Sequence, residues 1–195
     1  MNELSRIISV IPVYNGERFL TATLDSLAAQ TLKPDRVIVL DDASTDDTAQ
    51  LVEAYQPLKC ELVRSKQNQG LFNNFNRALG YATECVFLHY ICADDVLLPD
   101  FMQRMCDALT EAPAPSFSYC LPEFIDKDGN LLESPSVKSA PPRHGQRVAR
   151  AAQRVRFTNA GRCAHQDAWP SVPGTVPHRH APRSGLHFLL RLGQG

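Results

Sequence analysis

The alternation of short apolar segments with helical segments constrains the fold more than any other feature of the sequence. Four apolar segments without in-out alternation predict strands buried on both faces of a sheet. They are 6–13, 36–40, 60–64 and 85–90. Four segments after them carry apolar residues at helical spacing, namely 17–30, 46–55, 71–82 and 98–111. This β-α order predicts an α/β fold with a mostly parallel central sheet and right-handed crossovers.

Polar clusters follow three of the four predicted strands. They read YNGE from Tyr14, DDASTDD from Asp41 and CADD from Cys92. Since ligands of open α/β sheets bind outside the carboxyl ends of the strands, these clusters predict a site at one edge of the sheet. Asn68-Gln69-Gly70 follows the third strand, where Gly70 permits either a turn or a close approach of backbone to a ligand.

The pair Asp41-Asp42 has two interpretations. One residue of this cluster caps the next helix, and Ser44 or Thr45 is also placed to do so. A single cap does not require two adjacent carboxylates. A carboxylate at the strand end also accepts hydrogen bonds from a nucleobase or ribose, so the pair indicates a ligand as well as a cap.

Asp94 and Asp95 also have two interpretations. They are either loop residues ahead of a helix that has Pro99 in its first turn, or ligands of a hard divalent cation. Mg²⁺ and Mn²⁺ prefer oxygen ligands and are held by one or two carboxylates together with substrate phosphates. A cation would also offset the mutual repulsion of two adjacent carboxylates.

Cysteine usage and the N-terminal segment predict a reduced, cytoplasmic chain. The six cysteines form no C-x-x-C pair, and most lie in predicted strands or helices, where a thiol packs as a small hydrophobe. The N-terminal apolar run is shorter than the core of a signal peptide, and no segment reaches the roughly 20 apolar residues of a membrane span.

The second half of the chain has a different character. Segment 116–120 predicts a strand, and 124–133 predicts a hairpin around an Asp-Gly turn. From 136 to 195 regular periodicity disappears, and nine arginines and one lysine face a single acid, Asp167. We therefore predict a domain over 1–135 and an irregular basic tail over 136–195, either disordered or the product of a lost reading frame. A basic interaction segment is a third interpretation, although no aromatic-basic module for nucleic acid is present.

Four stretches together resemble the family 2 glycosyltransferases, enzymes with the A-type glycosyltransferase fold. They are ISVIPVYNGERFLTATLDSLAAQT, VIVLDDASTDDT, NQG and ADDVLLPD, and they occur in the family's order and spacing between about residues 6 and 105. The resemblance implies a three-layer nucleotide-diphospho-sugar transferase fold, incomplete at the C-terminus of this chain. It also implies a UDP-linked sugar donor and Mg²⁺ or Mn²⁺ as cofactor.

The resemblance also assigns roles to individual residues. The nucleotide-sugar site would comprise Pro12, Val13, Tyr14, Glu17, Asp42, Gly70 and Asp94. Tyr14 and its two predecessors correspond to the wall around the base, and Asp42 to the carboxylate that reads the base edge. Asp94 and Asp95 correspond to the metal and ribose carboxylates, with Asp95 the nearer metal ligand. Cys92 occupies a position where many members carry Asp.

The activity implied is inverting, metal-assisted transfer of the sugar to a hydroxyl acceptor, which is a saccharide, a lipid-linked sugar or a protein. Such enzymes take part in cell-envelope polysaccharide synthesis. The resemblance also allows a peripheral position of this chain at the inner face of the membrane. In the family the general base lies in the later half of the domain, where this chain offers no acidic pair, so no base is assigned. The alternative is a catalytically inactive nucleotide-binding fragment that lacks the acceptor half.

Overall fold

A computed structural model of the chain describes residues 5–110, 116–125, 130, 148–158 and 188–191. Strands and helices alternate between residues 5 and 110. The elements are β1 (Ser5–Val13), α1 (Leu20–Ala28), β2 (Arg36–Asp41), α2 (Thr48–Ala54), β3 (Cys60–Arg64), α3 (Leu71–Leu79), β4 (Cys85–Tyr90), β5 (Asp95–Val96), α4 (Phe101–Thr110), β6 (Ser116–Ile125), β7 (Val148–Thr158) and β8 (Phe188–Arg191). A 3-10 helix, Gly80–Glu84, joins α3 to β4.

The strands form one sheet in the order β3-β2-β1-β4-β8-β6-β7-β5. The first four strands of this order are parallel, so their carboxyl ends meet at one edge. Beyond β4, strand β8 is antiparallel to both β4 and β6, whereas β6 and β7 are parallel. The predicted α/β fold with parallel strands at its centre is confirmed.

Helices cover both faces of the parallel strands, which explains why their sequences do not alternate. In β1, Ile7 and Ile11 face α1 and α4, whereas Ile8 and Val10 face α3. All four of these residues are buried, at 1% exposure or less. Two apolar clusters therefore lie on either side of the sheet and make the three layers that the sequence predicts.

Gln30, at the end of α1, fixes the segment that leads into α4. Its amide nitrogen donates to the carbonyls of Ser26 (3.0 Å) and Leu98 (2.8 Å), and its amide oxygen accepts from the N–H of Met102 (3.0 Å). Gln30 is buried, so these bonds satisfy a side chain that would otherwise be costly to desolvate. They hold the chain just after the CADD loop against α1.

Three of the predicted helix starts are too early: α1 begins at Leu20 rather than at residue 17, and α2 and α4 also begin later than predicted. Helix α2 begins at Thr48 with Asp47 as its N-cap, not with Ser44 or Thr45, because the Ser44 hydroxyl accepts the N–H of Asn15 instead. Helix α4 begins at Phe101, after Pro99, whose carbonyl accepts the N–H of Thr31. In both places a long-range hydrogen bond decides the boundary that local sequence preferences left ambiguous.

The predicted strand at 116–120 is present and extends to Ile125 as part of β6. Most of the predicted hairpin at 124–133 lies outside the described residues. Strands β7 and β8 fall within segment 136–195, and the division of the chain at residue 135 stays a prediction. Each helix in the described part of the chain is too short or too polar to cross a bilayer.

Arg36 on β2 links two acidic side chains and makes stability depend on pH. Its guanidinium donates two 2.8 Å hydrogen bonds to Glu61 of β3 and one of 2.8 Å to Glu84. The hydrogen bond from Arg36 lowers the pKa of the Glu61 carboxyl. A carboxyl with a depressed folded-state pKa stabilises the protein above its unfolded pKa, and this contribution is lost as the pH falls.

We predict that Glu61→Gln lowers the free energy of unfolding at pH 7 by no more than about 1 kcal/mol, because the ion pair is partly exposed. The difference between the two proteins should shrink as the pH falls below about 4, near the ordinary pKa of glutamate. Urea unfolding at both pH values measures it. Glu53→Gln, at an exposed position on α2, is the control and should change little. A Glu61→Gln effect independent of pH contradicts the prediction.

Gly16 lies where the loop after β1 turns back on its own strand. A Cβ atom added to Gly16 would overlap Cγ2 of Val13, which is buried and β-branched and so cannot rotate away easily. We predict that Gly16→Ala destabilises the protein by about 1–3 kcal/mol in chemical denaturation. Gly80→Ala is the matched control, because a Cβ there meets no atom within 4 Å. Equal effects of the two substitutions would contradict this account.

Candidate functional site

The loop after β1 is fastened to the loop after β2 by its backbone N–H groups. Three consecutive N–H groups donate to short polar side chains of the second loop and of Thr48, the first residue of α2. The pairs are Asn15 to Ser44 Oγ (2.9 Å), Gly16 to Thr48 Oγ1 (2.8 Å) and Glu17 to Asp46 Oδ2 (3.1 Å). The polar residues that seemed to be surplus helix caps in the sequence therefore serve as acceptors for a neighbouring loop.

The second loop returns two hydrogen bonds to the first. The N–H of Thr45 donates to Asn15 Oδ1 (2.8 Å), and the N–H of Asp47 donates to Glu17 Oε2 (3.0 Å). Asn15 has a φ of 53°, a left-handed conformation that asparagine tolerates better than most residues. We call these five reciprocal bonds the loop seam. Glu17, predicted to lie near the nucleotide, is placed in this seam.

Asp46 shows how tightly the seam binds its acceptors. Burial raises the pKa of the Asp46 carboxyl, but hydrogen bonds from the Thr48 hydroxyl and from the N–H groups of Glu17 and Thr48 outweigh burial and leave the pKa below its usual value. The carboxylate is therefore held in its charged form at neutral pH. The charged form accepts these hydrogen bonds more strongly than the neutral acid does.

Asp42 joins the seam to the loop after β3. Its N–H donates to the carbonyl of Val13 (2.9 Å), and its carboxylate accepts the N–H groups of Gln69 (3.0 Å to Oδ2) and Gly70 (2.8 Å to Oδ2). Gly70 has a φ of 86° directly before α3, a conformation that only glycine adopts readily. The carboxylate thus lies at the N-terminus of α3, where a negative charge is favoured.

Asp41 points to the other side of the strand and is structural. Its Oδ1 accepts the N–H of Ser44 (2.8 Å), and its Oδ2 lies 3.1 Å from Nε of Arg64 on β3. Arg64 also donates to the carbonyl of Ser44 (2.6 Å). Adjacent residues of a strand face opposite directions, so the two carboxylates have separate partners. Asp41 shapes the loop, and Asp42 faces the cleft.

An open cleft of about 150 Å³ lies between the end of β1 and the start of α3. Its lining residues come from three strand-end segments and are Pro12, Val13, Tyr14, Asp42, Asn68, Gly70, Leu71 and Asn74. Tyr14 and Leu71 are the two large hydrophobic side chains that stay markedly exposed in the described residues, at 49% and 46%. An apolar wall beside a buried carboxylate suits a flat, partly polar ring.

Asn74, Leu71 and Asn68 lie in the cleft although the sequence assigned them no role as ligands. Asn74 Nδ2 donates to the carbonyl of Leu40 (2.8 Å), and its Oδ1 accepts from Arg77 (3.0 Å). These bonds fix α3 against the end of β2. A polar residue on the apolar stripe of α3, between Leu71 and Ala78, is the one sequence signal that could have identified Asn74.

A second group of polar side chains follows β4. Cys92 Sγ and carboxylate oxygens of Asp94 and Asp95 lie within 4.8 Å of one another. The N–H of Asp95 donates to the carbonyl of Cys92 (3.3 Å) and closes a turn, and the Thr23 hydroxyl donates to the carbonyl of Ala93 (2.9 Å). The turn brings three donor atoms to one place and ties the loop to α1.

The sequence-predicted site residues therefore fall into three places. Pro12, Val13, Tyr14, Asp42 and Gly70 line the cleft, Asp94 and Asp95 lie together with Cys92, and Glu17 lies in the loop seam. Their roles toward a ligand stay predictions.

Three other cysteines behave as the sequence predicts. Cys85 and Cys106 are buried in the core, and Cys60 packs against it from a partly buried position. Burial raises the pKa of each of these thiols to about 11, so they are poor nucleophiles near neutral pH.

Comparisons with known proteins identify relatives that match the first part of the chain. The uncharacterized glycosyltransferase RP339 of Rickettsia prowazekii is 30% identical over 133 residues, which cover 67% of this chain and 41% of the relative. A GalNAc(5)-diNAcBac-PP-undecaprenol beta-1,3-glucosyltransferase of Campylobacter jejuni is 28% identical over 138 residues, which cover 69% and 43%. The chain thus spans about two fifths of the length of these relatives.

Solved structures and a family model agree with these relatives. Residues 1–349 of S. aureus TarS in complex with UDP-GlcNAc superpose with a TM-score of 0.55 and 27% identity, over 69% of this chain and 38% of that one. The family model described as Glycosyl transferase family 2 matches residues 9–166 of this chain. The matched region contains the loop seam, the cleft and the Cys92 turn, and with it this chain belongs to the family 2 glycosyltransferases.

Proposed function

We propose that the chain binds a nucleotide-diphospho-sugar, linked to UDP, at the carboxyl edge of the parallel strands and takes part in transferring the sugar to a hydroxyl acceptor with inversion. One observation carries the proposal. A cleft with a buried carboxylate and a turn with three metal-ligating atoms both lie at the ends of adjacent parallel strands. The likeness to S. aureus TarS, which is solved in complex with UDP-GlcNAc, supports the choice of donor.

The cleft is the base subsite in this proposal. Asp42 is nearly fully buried and accepts hydrogen bonds only, so it requires a ligand edge that carries an N–H group. Its two backbone partners leave part of the four-site acceptor capacity of a carboxylate for such a donor. Uracil offers its ring N3–H there, and Tyr14 and Leu71 offer exposed apolar surface on which the ring packs.

The turn after β4 is the diphosphate subsite. The donor atoms of Asp94 and Asp95 are close enough for one small cation, and two carboxylates leave coordination positions for phosphate oxygens, so Mg²⁺ or Mn²⁺ fits the residues present. When bound, such a cation neutralises the negative charge that develops on the leaving diphosphate. Asp94 and Asp95 would hold the cation, and the Asp95 N–H to Cys92 carbonyl bond closes the turn that carries both residues.

The choice of acceptor follows from a relative rather than from the cleft. We propose a saccharide or lipid-linked sugar as acceptor, which is supported by the C. jejuni relative, whose name specifies a PP-undecaprenol-linked saccharide. A peripheral position at the inner face of the membrane and a role in cell-envelope polysaccharide synthesis follow from that acceptor. Nucleotide binding without turnover is the second candidate function, because segment 136–195 holds only one acid, Asp167, to serve as a general base.

Recognition of the base by Asp42 predicts a preference for UDP over CDP. Cytosine carries an acceptor at ring position 3 where uracil carries N–H, so CDP places an acceptor against the buried carboxylate. A hydrogen bond to a charged group contributes about 1.5–3 kcal/mol, which corresponds to roughly 10- to 100-fold in affinity. Calorimetric titration of the wild-type chain with each nucleotide in the presence of Mn²⁺ measures the ratio.

A substitution assigns that preference to Asp42. Asp42→Asn should remove most of the UDP-over-CDP preference, whereas Asp107→Asn, at an exposed position on α4, should leave it unchanged. Because the ratio compares two nucleotides on the same protein, partial unfolding of the variant affects both titrations alike. Equal affinities of wild-type protein for UDP and CDP would refute the assignment of Asp42.

Turnover separates the two candidate functions. We expect UDP release from a panel of UDP-sugars with a saccharide acceptor, abolished by EDTA and restored by Mn²⁺. Metal-dependent UDP binding with no release across the panel would favour the second candidate. A folded chain that neither binds UDP nor releases it would contradict both.

A further inference from the structure

We propose that Cys92 is itself a ligand of the cation and shifts the metal preference of this site from Mg²⁺ toward softer divalent ions such as Zn²⁺ and Co²⁺. This inference rests on the proposed function, since it concerns the cation of the diphosphate subsite. It goes further by naming the residue that selects the metal.

The geometry places the Cys92 sulfur among the metal-binding atoms. Cys92 Sγ lies within 4.8 Å of carboxylate oxygens of both Asp94 and Asp95. Metal bonds of about 2.0–2.3 Å require ligand atoms no more than about 4.6 Å apart, so a small side-chain adjustment lets one ion bind all three. Cys92 is only partly buried, so the thiol is not sealed from a ligand. The Cys92 sulfur and the two carboxylates thus form one group of three ligand atoms that is accessible to an ion.

The turn holds this face in place before any ion arrives. The Asp95 N–H to Cys92 carbonyl bond closes the turn, and the Ile91 N–H donates to the carbonyl of Val10 (3.2 Å) on β1. The Thr23 hydroxyl anchors Ala93 from the side of α1. These bonds hold the backbone on both sides of Cys92, so only a side-chain rotation changes the distance between its sulfur and the two carboxylates.

The chemistry of sulfur decides which ions bind more tightly when Cys92 is a ligand. Mg²⁺ is a hard ion that takes oxygen ligands and keeps several waters, and it gains little from a thiolate. Zn²⁺ and Co²⁺ accept sulfur, nitrogen and oxygen ligands together, and a thiolate adds negative charge and covalency to their binding. A thiolate in place of a carboxylate at this position should therefore weaken the binding of Mg²⁺ and strengthen the binding of the softer ions.

The packing of the other described thiols makes Cys92 distinctive. Cys85 and Cys106 are buried among apolar side chains, and Cys60 lies at the edge of the core with its sulfur near the carbonyl of Leu58. None of these three belongs to the group of potential metal ligands found among the described residues. Cys60, which is partly buried like Cys92, is therefore a matched control.

The experiment titrates the 195-residue chain with Co²⁺ in the presence of UDP and follows the near-ultraviolet charge-transfer absorption of a sulfur-cobalt bond. We expect this band in the wild-type protein and in Cys60→Ser, and its loss in Cys92→Ser. Circular dichroism and a thermal melt show whether each variant is folded. The band reports ligation by sulfur directly and does not require catalytic turnover.

A second measurement compares affinities. Softer ions bind most sites more tightly than Mg²⁺ does, so the ranking in wild-type protein is not informative by itself. The informative quantity is the ratio of Mg²⁺ to Co²⁺ dissociation constants in wild type and in Cys92→Asp, which replaces the thiol with a carboxylate. Loss of groups beyond the ligand shell already changes metal affinity by about tenfold or more, so we expect this ratio to fall at least about tenfold in Cys92→Asp.

The outcomes separate this inference from the proposed function. Suppose that UDP binds in a metal-dependent way, but the sulfur-cobalt band is missing and the ratio of dissociation constants is the same in wild type and Cys92→Asp. The sulfur then does not bind the cation and this inference is wrong, whereas the proposed donor site is unaffected. If the folded chain binds neither UDP nor a metal, the proposed function fails and this inference fails with it. A band that survives in Cys92→Ser would place the sulfur ligand elsewhere and also overturn the inference.

Discussion

Five hydrogen bonds between the loops that follow β1 and β2 hold the carboxyl edge of the sheet in one arrangement. Each bond joins a backbone N–H group of one segment to a polar side chain of the other, and one of the acceptors is Thr48 at the start of α2. A typical hydrogen bond of this kind contributes only about 1 kcal/mol net, but an unpaired N–H beside the cleft would cost more. The seam therefore holds the segments that carry Tyr14 and Asp42 next to each other at the edge of the candidate site.

Two pairs of adjacent carboxylates mark the site in the sequence, and the structure gives the members of the first pair different tasks. The strand directs Asp41 toward Arg64 and Ser44, where it shapes the loop. It directs Asp42 toward the amides of Gln69 and Gly70, where it borders the cleft. Asp94 and Asp95 instead share one turn with Cys92. Asp41 and Asp42 are thus tolerated because their carboxylates point to separate partners. In our proposal, Asp94 and Asp95 are tolerated because they share a cation.

Much of the parallel half of the fold could be predicted from sequence, because apolar strands buried on both faces and helices with apolar stripes leave strong local patterns. Strands β3 and β4 coincide with their predicted bounds. The starts of α2 and α4 could not be predicted, because Asn15 and Thr31 bond to groups that local preference assigns to helix caps and first turns. The cleft residue Asn74 was missed for a related reason, since its partners Leu40 and Arg77 are recognisable only once α3 packs on β2.

The central claim is that the seam, the cleft and the Cys92 turn together form one nucleotide-diphosphate site. A crystal structure of the 195-residue chain with UDP and Mn²⁺ tests it most directly. The account predicts that the uracil ring lies between Tyr14 and Leu71 with its N3–H directed at Asp42, and that the diphosphate and metal lie at Asp94 and Asp95. A nucleotide bound away from Asp42, or a diphosphate far from the Cys92 turn, would contradict it.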